Sequence, residues 1–518
     1  MGVIMLQSLI LTSNPRFQML ETMVTKHYDG HVTQKYSLDD CLAVVRGHTS
    51  EALQHAIAKN EKSVLLFSGR ITNLSTLRYA LLGIDSDIAT YSVAKILLHL
   101  YTKMGVASFS LLEGEFSIII KTADSIKAFT DSFGMLPLYY VVDKTGFFWF
   151  ANEVKSILEV DSIDFSIKAP ADLYPNTDNP HSFSYFKTIK KIPPGCQFEI
   201  NTLHCTNDQF SCIPYHSNHY ATNDGLSKEL TIEVLDKLLQ QSIQDNLSHN
   251  IAGLSLSGGL DSSLISAITN KYARKIHTFS LGTDASNEFE PAKLVSDFLG
   301  TTHHEMMFTQ ENLLTSLLHT IFYNEVLDSV CIEVHMPFWV LLKRIAVHTP
   351  CVFTGFGADM LFSGHASPNA DLSLVHQKIK SNIARVQWRG EYTPFVAQKL
   401  GVDVHHPFCG NKLIAIATSL NPKLKIFDGQ VKYVLRELAS QKKYLPEEIC
   451  RRKKIALEEA SSINKLFSDY LGLNSPFAYE QKDKYTYLIF KDLFENKKAI
   501  QNMDVNQYIK MIETESFA

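Results

Sequence analysis

No apolar run in the 518-residue chain approaches the ~18 residues a membrane helix needs; pieces such as Val64–Phe67 and Ser117–Ile120 are of strand length. The N-terminus lacks a basic stretch followed by a long apolar one, so no signal peptide is expected. Eight cysteines (41, 196, 205, 212, 331, 351, 409, 450) include no Cys-x-x-Cys, which argues against zinc ribbons, iron–sulfur clusters and a disulfide framework. A reducing cytoplasm is the expected compartment. An excess of one charge is lacking too: 49 basic against 54 acidic residues leave a net of −5, which gives no field for nucleic acid. No repeat or low-complexity tract occurs. What remains, 45% apolar and 20% charged residues, is the composition of a globular protein with ample core, long enough for two to four domains on a ~150-residue prior.

The most informative stretch is Leu254-Ser255-Leu256-Ser257-Gly258-Gly259-Leu260-Asp261-Ser262-Ser263. A short apolar strand enters a Ser/Gly turn, and an amphipathic segment (Leu264, Ile265, Ala267, Ile268) predicts a helix starting near Asp261 or Ser262. Paired glycines let the backbone approach an anion, serines add hydroxyl donors, and a helix N-terminus adds partial positive charge. The turn lacks the lysine of a Walker A loop. An acidic Asp261 beside a phosphate cradle makes sense with a divalent cation between them.

Ser-Gly-Gly-Leu-Asp-Ser resembles the pyrophosphate-binding loop of the ATP pyrophosphatase superfamily, which cleaves ATP between the α and β phosphates. Further on, Val352-Phe353-Thr354 reads as a strand ending at Gly355-Phe356-Gly357-Ala358-Asp359. Gly-x-Gly-Ala-Asp resembles the second signature of asparagine synthetase-like enzymes, which implies that Asp359 joins Asp261 in holding Mg2+; the plainer reading of Asp359 is a helix cap.

Strands are expected at 62–67, 116–120, 126–130, 138–142 and 146–151, with helices at Leu74–Leu82 and Tyr91–Leu100. The strings Gly69-Arg70-Ile71-Thr72-Asn73-Leu74, Leu112-Glu113-Gly114-Glu115-Phe116, Asp131 to Tyr140, Ala151-Asn152-Glu153 and Pro193-Pro194-Gly195 resemble the N-terminal glutaminase domain of asparagine synthetases. The resemblance implies an Ntn-hydrolase-like αββα sandwich. That family's nucleophile is a cysteine directly after the initiator methionine; Gly2 stands there, so a degenerate domain without glutaminase chemistry is expected. The expected division is 1–210 for this domain, a polar linker at 211–226, and 227–518 for a synthetase domain.

That second domain alternates strands and helices, as a parallel, doubly wound sheet does. Leu230–Ile243 predicts a helix and Ile276–Gly282 a strand. A helix starts near Asn287 or Glu288, with Pro291 in its first turn, and stops at Gly300. Helices dominate after residue 370, at 371–388, 411–419, 429–441, 464–472 and 486–495. The fold class expected is thus α/β with α+β: the sandwich, then an adenine-nucleotide α-hydrolase-like parallel sheet with a helical C-terminal part. His303-His304-Glu305 invites a metal reading, but neighbours on a strand point to opposite faces, and the histidines are expected to be structural.

Thr278 to Thr283, Ser286 to Glu290, Tyr323-Asn324-Glu325, His406-Pro407-Phe408, Lys425 to Asp428 and Arg452-Lys453-Lys454-Ile455 resemble the β-lactam and carbapenam synthetase branch. Carried over residue by residue, the resemblance implies binding of ATP by Leu256, Ser257, Gly258, Gly259, Asp261 and Ser262, with Ser280 and Gly355, and of Mg2+ by Asp261 and Asp359. Lys454 would neutralise charge developing on the acyl oxygen and phosphate. The branch deprotonates its attacking amine with a Tyr–Glu dyad. Glu391 matches the glutamate, but Phe356 replaces the tyrosine, where asparagine synthetases carry glutamate. Ala456 and Ala460 replace glycines, and Glu458 often a histidine. Either the amine needs no dyad, or Glu391, Tyr323 or Tyr392 serves as base, or the ring is not a β-lactam.

The expected activity is adenylation of a small amino-acid-like carboxylate, release of pyrophosphate and AMP, and amide formation, intramolecular and β-lactam-type, in specialised or antibiotic biosynthesis. The alternatives are an intermolecular ligase using ammonia or another amine, and an inactive scaffold. Neither nucleic acid nor a membrane is an expected partner; a homo-oligomer is left open.

Overall fold

The computed structural model describes residues 6–14, 19–28, 30–38, 40–83, 85–169, 184–201, 210–216, 222–247, 250–389, 395–453 and 461–514. Among these, no helix is long and apolar enough to cross a membrane. The chain divides into two compact units, 3–217 with 491–499, and 218–490 with 500–516.

The first unit is built on β1 (Leu6–Thr12), β2 (Val32–Leu38), β3 (Cys41–Gly47), β4 (Ile57–Lys59), β5 (Val64–Ile71), β6 (Gly114–Lys121), β7 (Ser125–Thr130), β8 (Tyr139–Val142), β9 (Phe148–Ala151), β10 (Lys190–Lys191), β11 (Cys196–Asn201) and β12 (Phe210–Pro214). Hydrogen bonding runs in the order β10-β8-β9-β1-β5-β6-β7-β11-β12, with β3 also on β1, β2 on β3 and β4 on β5. β5 and β6 are buried almost throughout, which explains why they read as continuous apolar runs. Helices α1 (Leu20–Thr25), α2 (Ser50–Leu53), α3 (Leu74–Leu81) and α4 (Val93–Met104) accompany them; Ile96, Leu97 and Leu100 of α4 enter the core with Leu65, Phe67, Ile118 and Ile120.

Several of the quoted N-terminal strings are buried polar nodes. The Asp131 carboxylate accepts from the backbone N–H of Phe133, Met135 and Leu136 at 3.0, 3.0 and 3.1 Å. Asn152 accepts from Leu9 N and donates to Ser117 Oγ and Pro137 O. Glu153 is fully buried against Arg46 at 2.6 Å and Lys155 at 2.8 Å; burial pushes its carboxyl up, but those two cations prevail and hold it at about 2.

The second unit opens with α5 (Lys228–Asn246), capped by Ser227 Oγ accepting from Leu230 N. Five parallel strands follow: β13 (Ile251–Ser255), β14 (Lys275–Gly282), β15 (Thr302–Met307), β16 (Cys351–Phe353) and β17 (Asp403–His405), in the order β15-β14-β13-β16-β17. Between them run α6 (Leu260–Thr269), α7 (Phe289–Leu299), α8 (Gln310–Asn324), α9 (Ser329–Ala346), α10 (Ala358–Leu361), α11 (Val375–Arg389) and α12 (Phe395–Lys399). The chain builds outward from β13 through β14 and β15, then returns to add β16 on the other side. That reversal makes the gap beyond the carboxyl ends of β13 and β16 the topological switch point, where ligands bind in such sheets. Helices α13 (Asn411–Ser419), α14 (Tyr433–Gln441) and α15 (Glu447–Arg451) follow. Residues 429–432 are not helical as expected: Gln430–Val431 is a short strand, and Lys432 caps α14.

Candidate active site

The loop Leu256–Gly259 fills the switch point. Gly258 has φ +68°, and a Cβ there would stand 2.5 Å from the Pro291 carbonyl carbon and 2.6 Å from Ala292 N. Only glycine lets the loop lie on the first turn of α7. Gly259 caps α6 with no side-chain hydrogen bond, so an anion has no capping side chain to displace. Ser257 Oγ lies 3.2 Å from Ser262 Oγ and accepts from Gly259 N at 3.3 Å.

The loop after β16 meets the first from the other strand. A Cβ on Gly355 would stand 2.6 Å from Ser262 N and 2.8 Å from the Asp261 carbonyl carbon. The tight seam brings Asp359, in the first turn of α10, next to Asp261 of α6. Their carboxylates meet on one cation, Lys432 Nζ, which bonds Asp261 Oδ2 and lies 2.5 Å from Asp359 Oδ1. Lys432 is buried and left-handed, with φ +58°. Gly364 makes room for this arrangement: a Cβ there would overlap Asp359 Oδ1 and press on Lys432 Cε at 2.4 Å.

Sequence reading missed Lys432. Its one visible signal is a lone lysine opening the amphipathic helix Tyr433–Gln441, which by itself reads as a surface charge. The two aspartates are brought together on one cation, and that cation is an ammonium. A divalent ion fits the donor set if Lys432 turns to phosphate, because two carboxylates and phosphate oxygens are hard ligands for Mg2+.

A cleft open to solvent adjoins the loop, lined by Ser255, Leu256, Ser257, Phe279, Ser280, Leu281, Glu288, Pro337, Leu341 and Ser461. Mixed apolar walls and hydroxyls suit a nucleoside. Ser280 Oγ pairs with His303 Nε2 at 3.1 Å.

Lys454, Glu391 and Tyr392 lie outside the described residues, as do Gly2, Ala456, Glu458 and Ala460. The flanks of the Lys454 segment are described. Arg452 Nη2 meets Glu288 Oε1 at 2.6 Å, and Thr283 Oγ1 donates to Ser461 O at 2.7 Å. Buried Arg436 donates from Nη1 to the Cys450 and Arg452 carbonyls at 2.6 and 3.0 Å. Both ends of the segment are therefore fastened where Glu288 and Ser461 border the cleft.

Phe356 follows the seam, half-buried, with its ring centroid 5.3 Å from that of His406. His406 Nδ1 lies 2.7 Å from Thr354 Oγ1. A titratable ring thus stands beside the residue that lacks a hydroxyl. Tyr323 is buried in an aromatic stack with Trp339 and His319, at 6.0 and 6.1 Å, and is not among the cleft-lining residues.

Residues 234–400 and 396–472 match the family model of asparagine synthase, and residues 28–211 that of the glutamine amidotransferase domain. The chain is 26% identical over 434 residues to a probable glutamine-hydrolyzing asparagine synthetase of Dictyostelium discoideum, covering 75% of this chain and 70% of that one. It is 27% identical over 399 residues to asparagine synthetase B of Escherichia coli K12, covering 72% and 66%. To the carboxyethyl-arginine beta-lactam-synthase of Streptomyces clavuligerus it is 26% identical over 415 residues, covering 78% and 75%. At such distances the substrate does not transfer, but the two matched regions lie in the family's order and the Ser257–Ser262 loop and Gly-x-Gly-Ala-Asp turn meet at the switch point: the chain belongs to the asparagine synthetase-like family of ATP-dependent amide ligases.

Proposed function

We propose that this chain activates a small amino-acid-like carboxylate with ATP and converts it to an amide, with 227–518 as the synthetase domain, 211–226 as linker and 1–210 as a glutaminase-like domain that no longer hydrolyses glutamine. The observation that carries the reading is the convergence of the Ser257–Ser262 loop, Asp261 and Asp359 around Lys432 at the sheet's switch point. Ser257, Gly258, Gly259 and Ser262 hold the β and γ phosphates against the N-terminus of α6. Leu256, Ser280 and Gly355 line the nucleoside side. Asp261 and Asp359 would hold Mg2+, which when bound would supply charge neutralisation on the pyrophosphate.

The substrate carboxylate attacks the α-phosphorus, the α–β bond breaks, and an acyl-adenylate forms. An amine then attacks the acyl carbon, AMP leaves, and the amine gives up a proton. Lys454 is the cation for the acyl oxygen and phosphate; the fastening of Arg452 to Glu288 and of Ser461 to Thr283 supports that assignment. Such a preorganised cation contributes about 3 kcal/mol or more in a dry site. Glu391 is the acid/base partner carried over from the branch. Phe356 contributes no proton transfer, and the imidazole of His406 stands beside it.

We favour an amine on the same substrate, giving a cyclic, β-lactam-type amide of specialised metabolism. The second reading is intermolecular capture of ammonia or another amine; Phe356 is neither the tyrosine of the cyclising branch nor the glutamate of asparagine synthetases and does not decide between the two.

The test is pyrophosphate release from ATP and Mg2+ across a panel of amino-acid carboxylates, with products read by mass. Loss of water from the substrate, abolished in Lys454→Ala, is the expected result. Release that requires added ammonia or a second amine establishes the intermolecular ligase instead. No release with any carboxylate, together with no ATP binding by calorimetry, overturns the enzyme reading.

A further inference from the structure

Three imidazoles meet on the face of the parallel sheet that carries α9. β14 and β15 pair with His277 opposite Thr302 and Phe279 opposite His304. Strand alternation therefore sends His277, Phe279 and His304 to one face, and Thr278, Ser280 and His303 to the other. His303 bears this out, with Nδ1 2.9 Å from Thr278 Oγ1 and Nε2 3.1 Å from Ser280 Oγ. His348 arrives just past the C-terminus of α9, in the turn where its N–H donates to Ile345 O.

The three rings are close and share a centre. Their centroids are 5.3 Å apart for His277 and His304, and 4.6 Å from His348 to each of them. His277 Nδ1 and His304 Nε2 are 3.0 Å apart, and one nitrogen from each of the three rings lies within 4.8 Å of the others. His348 Nε2 is buried without a hydrogen-bond partner, a cost that a packing role does not return.

We propose that His277, His304 and His348 form a binding site for a borderline divalent transition ion, of which Zn2+ is the representative, with solvent in the fourth position. Three imidazoles without a carboxylate suit Zn2+, Co2+, Ni2+ or Cu2+ and discriminate against Mg2+ and Ca2+. Tetrahedral Zn2+ at about 2.0–2.1 Å from nitrogen sets ligand separations of roughly 3.4 Å. The 3.0 Å pair has to open slightly and the widest pair to close, both by ring rotation. The C-terminal end of α9 adds negative potential, which favours a cation there. The aspartates and Lys432 take no part in this site.

The test uses the full-length chain, stripped with chelator and titrated with Co2+ and Zn2+ in the presence of excess Mg2+. Wild type is expected to show visible Co2+ d–d bands of four-coordinate intensity, to retain about one Zn2+ per chain after gel filtration, and to melt several degrees higher with Zn2+. His348→Ala and His304→Ala are expected to lose the bands and the retained ion, whereas His303→Ala, on the opposite face, keeps both. Where an alanine variant fails to fold by circular dichroism, His348→Gln at the half-exposed position replaces it. Absence of Co2+ bands and of retained Zn2+ in folded wild type overturns the proposal. Equal retention in wild type and His348→Gln does so too.

Discussion

Lys432 Nζ stands 2.5 Å from Asp359 Oδ1 and also bonds Asp261 Oδ2, so one buried ammonium holds together two loops that lie nearly a hundred residues apart in sequence. Removing one member of a buried ion group leaves charge uncompensated, at about 3–5 kcal/mol. Lys432→Met is therefore expected to lower the free energy of unfolding by that amount and to make stability respond to Mg2+, which takes over the carboxylates. Thermal melts with and without Mg2+ check this; a variant as stable as wild type and indifferent to Mg2+ refutes it.

The seam between the two signature loops depends on glycine for space. A methyl group at Gly355 meets the Ser262 and Asp261 backbone at 2.6 and 2.8 Å, and backbone cannot swing aside as a side chain does. Gly355→Ala is expected to move Asp359 away from Asp261 and to lower pyrophosphate release about 10²-fold, the order of loss a misplacement near 1 Å produces. Gly258→Ala adds a left-handed strain of about 1–2 kcal/mol to a clash with Pro291 and Ala292. Paired assays of ATP binding and turnover test both.

Glu288 fastens Arg452 at 2.6 Å on the rim of the cleft. If that contact positions the segment carrying Lys454, Glu288→Gln should reduce kcat more than it raises the KM for ATP. A change confined to KM would mean that Glu288 serves nucleotide binding alone.

His335 on α9 receives a hydrogen bond from Asn324 Nδ2 at Nδ1, 3.1 Å, and burial holds its pKa at about 4, below the usual 6.5. The unfolded chain binds the extra proton first, so this group's contribution to stability is present above pH 6.5 and is lost as pH falls toward 4. Melting temperature is expected to drop across that window, and His335→Gln to flatten the drop. An unchanged slope in the variant would show that other groups control it.

Much of the second unit was legible because local physics decides it. The α7 prediction, with Pro291 in the first turn and a stop at Gly300, matches Phe289–Leu299 with Gly300 left-handed, since caps and prolines act over a few bonds. The strand at Ile276–Gly282 and the helix at 411–419 follow from hydrophobic periodicity in the same way. Opposite faces for His303 and His304 follow from strand geometry.

Periodicity says nothing about which strands become neighbours. α8 and α9 went unassigned because their mixed apolar sequences show no clean amphipathic pattern, and the helices are buried on several sides. The Ser/Gly turn after β13, its paired glycines and the aspartates are legible in the sequence alone, because these are short-range motifs with a local physical requirement. Only the tertiary structure decided that Lys432 lies between Asp261 and Asp359, that His406 stands beside Phe356, and that His348 joins His277 and His304. Each of these contacts spans tens to more than a hundred residues, and the crossing of parallel strands and helices, which no local propensity encodes, brings them together.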